Sequence, residues 1–523
     1  MRRSGLFIVV VALIANGVCS KQIAGQSSAT PLIGYHEPKV DSTGHIVPWF
    51  SPQPSIAYDH DIRILWDFWH NMRQCSNGVP YYLQHQVWTP DKDKDDPRGL
   101  GGDQINMALD SWNLLYGYLG DPAIKHNMTE IADYWLDHGM ADSSLPWGGM
   151  PYPYNTDLHS GKYDGDMRAG KGFLQPDKAA SFGYQLLVIY KMTGQEKYLT
   201  AAQQIADRLA RQVKEGDAEN SPWPFRVRAS DGVVHSQGRA GKTIRASYTS
   251  NWSPSLQMFM ALQQLHRGDA AAYQRAIDLT STWLRQFPFS TNKWGPFFED
   301  ILTADYSDTE INADTMAAFV LENPQWDSKW KEDARSMLKW SYDTLQNHEY
   351  DRWGVTVINE QTVYRVPGNS HTSRHAAVEL LYCEKTGECE SKKDAIRRLN
   401  WATYTIDNDG KNRYIRDDIW LTDGYGDYIR HYLRAMAAAP ELAPDDQNHL
   451  LRSSSVIQEI LYQPTRISYR KFDAHSNERF KIGQNKPVSA KGGTMKWDGD
   501  QKVLTIESTA ENVEIVLSGV NPK

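Results

Sequence analysis

The sequence predicts a mainly α-helical fold, an (α/α)6 toroid that ends in a small antiparallel β module. Three observations carry this expectation. Six Ala- and Gly-rich amphipathic runs recur, each after a polar or Gly-rich entry, at spacings of roughly 50–75 residues, enough chain for two helices and their loops. More polar amphipathic segments alternate with them, and after Pro464 helical spacing gives way to strand-like alternation.

At the start of the chain, Arg2 and Arg3 precede an apolar run from Leu6 to Ala15 that is too short to span a bilayer, and the small residues Gly17, Cys19 and Ser20 follow. This is the layout of a secretory signal peptide over residues 1–20, cleaved near Ser20, and it implies a secreted or periplasmic protein. Lipidation at Cys19 is the alternative, although Val18 before it matches a lipoprotein box poorly. No later run is apolar for long enough to anchor the chain in a membrane.

The toroid is assigned to residues 46–462. Inner helices are expected to begin at Asp103, Asp177, Ser253, Asn312, His371 and Asp423, and outer ones near Tyr58, Asn127, Glu196, Ala270, Asp327 and Ser391. Gln447 to Leu461 reads as one more outer helix, which leaves a seventh hairpin open. In the segment from Glu196, the residues Tyr198, Ala201, Ile205, Leu209 and Val213 recur at three- and four-residue steps, so one side is buried. Lys178 to Tyr190 is small or apolar nearly all round, as a helix covered on both sides requires. The polar entries of the inner helices then meet at one mouth, where unsatisfied N–H groups and positive helix ends gather. Residues 463–523 form the β module: Ile467 and Tyr469 alternate, as do Val513, Ile515 and Leu517, with a hairpin at Asp498-Gly499.

Composition narrows the function. A chain of 523 residues with 40% hydrophobic and 23% charged side chains is globular, and a net charge of -8 argues against nucleic acid as a partner. The 18 Trp and 27 Tyr against 14 Phe suit contact with sugar rings, since both pair a flat apolar face with a polar edge. Cys383 and Cys389 flank a turn and fit a loop disulfide, which leaves Cys75 over. No Cys or His pair has zinc spacing, so no metal is expected. Asn127-Met-Thr and Asn251-Trp-Ser are glycosylation sequons.

Taken together, the six inner runs, the secretory signal, the dense Trp and Tyr and the C-terminal β segment resemble the six-hairpin glycosidase-like superfamily, which holds both glycoside hydrolases and polysaccharide lyases. The segment from Tyr81 to Asp121 (YYLQHQVWTPDKDKDDPRGLGGDQINMALDSWNLLYGYLGD) is similar to secreted glucuronan and alginate lyases with a helical toroid. The resemblance implies an enzyme acting on an acidic polysaccharide. No cofactor is expected. Several lyase families use calcium, which keeps that ion open, although Asp91 to Asp96 lacks the ordered ligands and Gly of a calcium loop.

A lyase that removes the C5 proton of a uronate must neutralise the carboxylate, take the proton and protonate the leaving oxygen. Arg226, Arg228, Arg239, Lys242 and Arg245 stand against the single acid Asp231 between Trp223 and Trp252, a local positive excess suited to an anionic glycan. Asn251 and Tyr248 lie at the entry of the third inner helix, with His235 upstream, while His371, Arg374 and His375 share one face of the fifth. The expected roles are Asn251, Arg245 or Arg374 for the carboxylate, His371 or His235 as base, and Tyr248 as acid, with Tyr306 and Tyr425 as alternatives. Arg239, Lys242, Asp103 and Asp177 are expected to bind substrate, with Trp147 and Trp223 as sugar platforms. A hydrolase would instead use two of Asp103, Asp177, Asp314 and Asp423, with Glu299, Asp300 and Glu310 close by. Each Asp is equally explained as a helix cap. A third reading is a glycan-binding protein without a competent site.

Overall fold

Local chemistry starts and stops the helices where the sequence suggests. In the computed structural model, which describes residues 32–519 except 73, 77, 85–99, 158–159, 240, 298–306, 413–414 and 416–421, α1 (Pro54–His70) is followed by α2 (Gly102–Leu119) and α3 (Pro122–His138). Next come α4 (Pro176–Thr193), α5 (Glu196–Gln212), α6 (Ser253–Gln264), α7 (Ala270–Gln286), α8 (Glu310–Glu322) and α9 (Trp330–Leu345), then α10 (Asn369–Thr386), α11 (Lys392–Ala402) and α12 (Thr422–Ala438). Asp121 and Asp269 cap α3 and α7 through their side chains, and proline opens α1, α3, α4 and α6. Gly120, Gly194 and Gly387 end α2, α4 and α10 at φ of 71°, 72° and 77°, a left-handed stop that glycine reaches without strain. The signal segment, Asp91 to Asp96, Glu299, Asp300 and Tyr306 lie outside the described residues, as do the side chains of Arg239, Lys242, Asp423 and Tyr425.

The even-numbered helices are the inner ones. Each packs on the next in chain order and α12 returns to α2, so the six close a ring. The helices α3, α5, α7, α9 and α11 each lie on the inner helix before them, and α1 lies on α12. Burial follows this layering. Tyr198, Leu199, Ala202, Ile205, Ala206 and Leu209 line one side of α5, whereas α4 is buried on nearly every side, as a helix between two layers must be. Gly183 lets α4 approach α6, since a Cβ there would lie 2.4 Å from Met258 Sδ.

Eight strands follow: β1 (His449–Ser453), β2 (Ile457–Gln463), β3 (Arg466–Lys471), β4 (His475–Lys481), β5 (Pro487–Lys491), β6 (Gly493–Asp498), β7 (Val503–Thr509) and β8 (Asn512–Leu517). They form two antiparallel four-stranded sheets in the orders β2-β3-β8-β5 and β6-β7-β4-β1. Tyr469 of one sheet donates its hydroxyl to Glu478 of the other at 3.0 Å. The expected outer helix over Gln447 to Leu461 is therefore replaced by β1 and β2. Val456, Ile457, Ile460 and Leu461 imitate helical spacing, but pairing of β1 with β4 and of β2 with β3 takes the backbone instead. No seventh hairpin exists among the described residues, and the strands of the C-terminal module begin at His449 rather than after 462.

The sheets sit on the C-terminal ends of the inner helices. Tyr116 donates to the Gln458 carbonyl at 3.2 Å, Tyr462 to the Gly117 carbonyl at 2.5 Å and Gln458 to the Lys191 carbonyl at 2.8 Å. Arg452 and Arg479 both hold Glu384, near the end of α10, at 2.8 and 2.6 Å. The Cys383–Cys389 disulfide is formed. Asn127 and Asn251 are buried and hydrogen-bonded inside the protein, so neither sequon presents a free amide for a glycan.

Candidate active site

Two polar clusters occupy the N-terminal ends of the inner helices. The first joins α2, α4 and α6. Asp177, in the first turn of α4, is fully buried, and its Oδ2 meets Lys178 Nζ at 2.8 Å and Asn251 Nδ2 at 2.9 Å. Lys178 also donates to the Phe297 carbonyl at 2.7 Å, and its own carbonyl accepts from Asn106 of α2 at 3.1 Å. Asp177 therefore does not cap its helix; it pairs across the interface.

The second cluster joins α8 and α10. Glu310, the first residue of α8, is fully buried, and its Oε2 lies 3.0 Å from His371 Nδ1 and 2.5 Å from Arg374 Nη1. Glu360 approaches His371 Nε2 at 3.9 Å from the preceding loop. One turn further along both helices, Asp314 Oδ2 lies 2.8 Å from His375 Nδ1, and Ser341 of α9 donates to Asp314 Oδ1 at 2.7 Å. An apolar contact among Met107 of α2, Phe297 and Ile311 of α8 bridges the two clusters.

Charge is unevenly distributed here. Burial opposes ionisation of Glu310, but Arg374 and then His371 outweigh it and hold the carboxyl well below the usual range. Burial pushes Asp314 up to about 7 against the pull of His375, and the neighbouring Glu310 adds to the rise. Burial also disfavours a charged His375, yet Asp314 and Glu379 lift it to about 10. Asp314 stands one turn along α8 from Glu310, so each carboxyl feels the other's charge.

Several expected site residues stand elsewhere. Tyr248 is buried against Trp283 of α7 and donates its hydroxyl to the Lys293 carbonyl at 2.6 Å, so it belongs to the packing between ring layers. No hydrogen bond or ion pair among the described residues brings Tyr248, Asn251 and His371 together. Trp223 is fully buried against Trp252 and donates to the Leu209 carbonyl, and Trp147 is 6% exposed, so neither offers a face to a sugar. The basic stretch is partly neutralised from within: Arg226 is buried on Asp166 at 2.9 Å, and Arg228 pairs with Asp231 at 2.5 Å. Arg245 is exposed on a hairpin that pairs Ser236–Arg239 with Lys242–Arg245. His235 is half-buried beside Phe173, and burial, then Arg226, disfavour its charged form. Asp103 is buried in the first turn of α2, and α12 carries Asp423 and Tyr425 in its first turn.

The groups the sequence reading missed are Lys178, Glu360, Glu379 and Arg398. A lysine inside the all-round apolar run of α4, and a glutamate one helical turn after His375, were the available signals. Glu360 sits in a loop and carries none.

No protein-family model matches the sequence, and no curated protein matches it. Solved structures do match. A sugar epimerase from a ruminal bacterium shares 14% identity at a TM-score of 0.51, over 72% of this chain and 98% of that one. Cellobiose 2-epimerase from Spirochaeta thermophila DSM 6192 shares 13% at 0.52, over 73% and 96%. A D-mannose isomerase shares 12% at 0.53, over 74% and 96%. This chain thus shares its fold with these sugar epimerases and this isomerase. The neighbours process carbohydrate; the likeness to them is one of architecture.

Proposed function

We propose that the protein is a carbohydrate-active enzyme whose reaction begins with removal of a proton from a sugar carbon beside a carboxylate or carbonyl, with His371 as the base. The observation that carries this is the Glu310–His371 contact of 3.0 Å at the N-terminal end of α10. With Nδ1–H donated to Glu310, the lone pair of the neutral ring lies on Nε2, the nitrogen that takes a proton. Arg374 supplies a fixed positive charge 3.4 Å from the same ring.

In the reading we favour, the substrate is a uronate-containing glycan and elimination follows. The C5–H bond breaks, its electrons form the C4–C5 double bond, and the C4–O bond breaks as the leaving oxygen is protonated. Exposed Arg245 and the hairpin that carries Arg239 and Lys242 support an anionic substrate. Sugar epimerisation or isomerisation is the second reading, favoured by the burial of Tyr248 away from His371 and by the neighbours named as epimerases and an isomerase. Glu310 is held by His371 and Arg374 and Asp314 by His375 and Ser341, which weighs against hydrolysis through those two carboxyls.

The test is incubation in deuterated water with polyuronates, and separately with neutral oligosaccharides and aldoses. Unsaturated ultraviolet-absorbing ends support elimination. An altered sugar carrying carbon-bound deuterium supports epimerisation or isomerisation. New reducing ends with neither signal overturn the proton-abstraction proposal.

A further inference from the structure

We propose that His375, Glu379 and Arg398 form a positioning relay that holds the Asp314 carboxyl against Glu310 and thereby fixes the charge and orientation of the Glu310–His371–Arg374 set. The relay rests on the reading of that set as the reacting groups.

The charged groups run inward from the outer layer. Arg398 of α11 is buried, anchors its Nε on the Thr356 carbonyl at 3.0 Å and donates Nη1 to Glu379 Oε2. Glu379 Oε1 lies 3.6 Å from His375 Nε2, one turn back on α10, and His375 Nδ1 lies 2.8 Å from Asp314 Oδ2. Asp314 in turn stands one turn along α8 from Glu310, where side chains four residues apart are neighbours. Charge alternates along this line from guanidinium to carboxylate to imidazolium to carboxyl. Every element packed on the Asp314–His375 pair contributes: Glu310 from α8, His371, Arg374 and Glu379 from α10, Arg398 from α11, and the Ser341 hydroxyl and the Tyr342 ring from α9.

Packing alone does not call for such a line. A buried ion network is poor evidence of stabilisation, because well-packed apolar side chains of equal volume often serve as well or better. Buried groups whose protonation is displaced by specific partners cluster where protons are moved. This line starts outside the inner ring and ends at the histidine proposed as base, so its effect is delivered at the reacting end. Loss of the Glu379 charge leaves the His375 cation without its second anion. Asp314 then has that cation to itself and gives up its proton at lower pH, so the charge that faces Glu310 changes.

The experiment uses the full chain labelled with carboxyl-13C aspartate, the Asp314 signal being assigned with Asp314→Asn. In the wild type its titration is expected near neutral pH. His375→Gln, which removes the cation, should move it upward, and Glu379→Gln, which keeps shape but removes the anion that shares that cation, downward, each by about one unit, a tenfold change in proton affinity. Arg398→Met, which removes a cation, should move it upward while Arg398→Lys restores the wild-type position, which separates charge from simple loss of fold. An unmoved titration in folded Glu379→Gln and His375→Gln overturns the relay. This readout needs no turnover, so it stands even where no carbohydrate is a substrate. Where turnover is found, an unchanged pH profile in a variant whose Asp314 titration has moved overturns the link to the reaction.

Discussion

His375 Nδ1 lies 2.8 Å from an Asp314 carboxylate oxygen, and both side chains are fully buried between α8 and α10. The pair makes stability depend on pH in a definite direction. His375 titrates at about 10 in the folded chain against an ordinary 6.5, so its contribution is complete below 6.5 and is lost as pH rises through about 10. Asp314, raised from 3.8 to about 7, also binds its proton more tightly when folded, so its contribution falls as pH rises through about 7. Both slopes have the same sign. The melting temperature is expected to drop from neutral to alkaline pH, and to drop less steeply in His375→Gln, which has no proton to lose there. Thermal unfolding followed by circular dichroism at a series of pH values decides it; equal slopes in the two proteins would refute it.

Gly368, the residue before α10, has an ordinary φ of -110°, but a Cβ there would lie 2.3 Å from His371 Cδ2. The backbone therefore accepts alanine while the imidazole does not. Gly368→Ala is expected to fold and to keep its melting temperature within a few degrees, yet to lose most of its turnover, because about 1 Å of misplacement can cost a hundredfold in rate. The comparison of kcat with melting temperature checks this, and full turnover in the variant would show that His371 needs no such fixed position.

Much of the scaffold was legible in the sequence, because the period of apolar residues is set by the layer a helix occupies. The inner starts at Asp103, Asp177, Ser253, Asn312, His371 and Asp423 fall within two residues of helices beginning at Gly102, Pro176, Ser253, Glu310, Asn369 and Thr422. Gln447 to Leu461 misled because strand partners far along the chain decide its state, and local spacing does not record them. The candidate cluster is only partly visible in the sequence. His371 and Arg374 share a helix face, which sequence reveals, whereas their partner Glu310 comes from another helix and Glu360 from a loop. Tyr248 and Trp223 carry the right chemistry at the right place in the chain, but their rings point into the packing between layers, and side-chain direction in a helix entry follows from tertiary contacts.

Removing His371 should separate binding from chemistry. Its ring sits between Glu310 and Glu360 with only 3% exposure, so His371→Gln fits the space and keeps a hydrogen-bonding group toward Glu310. Loss of a general base typically costs about 10²- to 10⁴-fold. The expected result is a fall in kcat of that order with little change in KM, together with loss of deuterium uptake from solvent. Glu310→Gln should show a smaller fall, since the ring keeps a partner but loses its anion. A His371→Gln protein that exchanges deuterium at the wild-type rate would assign the base to another residue.

The seat of the β sheets carries an acid-sensitive joint. His449 of β1 is 2% exposed, its ring stacks on Tyr118 of α2 at a centroid distance of 3.9 Å, and its Nδ1–H donates to the Tyr118 carbonyl at 2.9 Å. Burial pushes the imidazole down to about 4, against the raising effect of that backbone bond. The folded chain thus keeps His449 neutral while the unfolded chain protonates it near 6.5, so the stability present above 6.5 is lost progressively as pH falls through about 4. A difference of that size corresponds to at most about 3 kcal/mol. Hydrogen exchange of the β1 and β2 amides is expected to quicken toward acid before that of α4 or α10, once corrected for the intrinsic pH dependence of exchange. His449→Phe keeps the stacking and cannot take a proton, so it should exchange faster at neutral pH and show little further acid dependence. Equal acid dependence in His449→Phe and the wild type would locate the acid-labile joint in other groups.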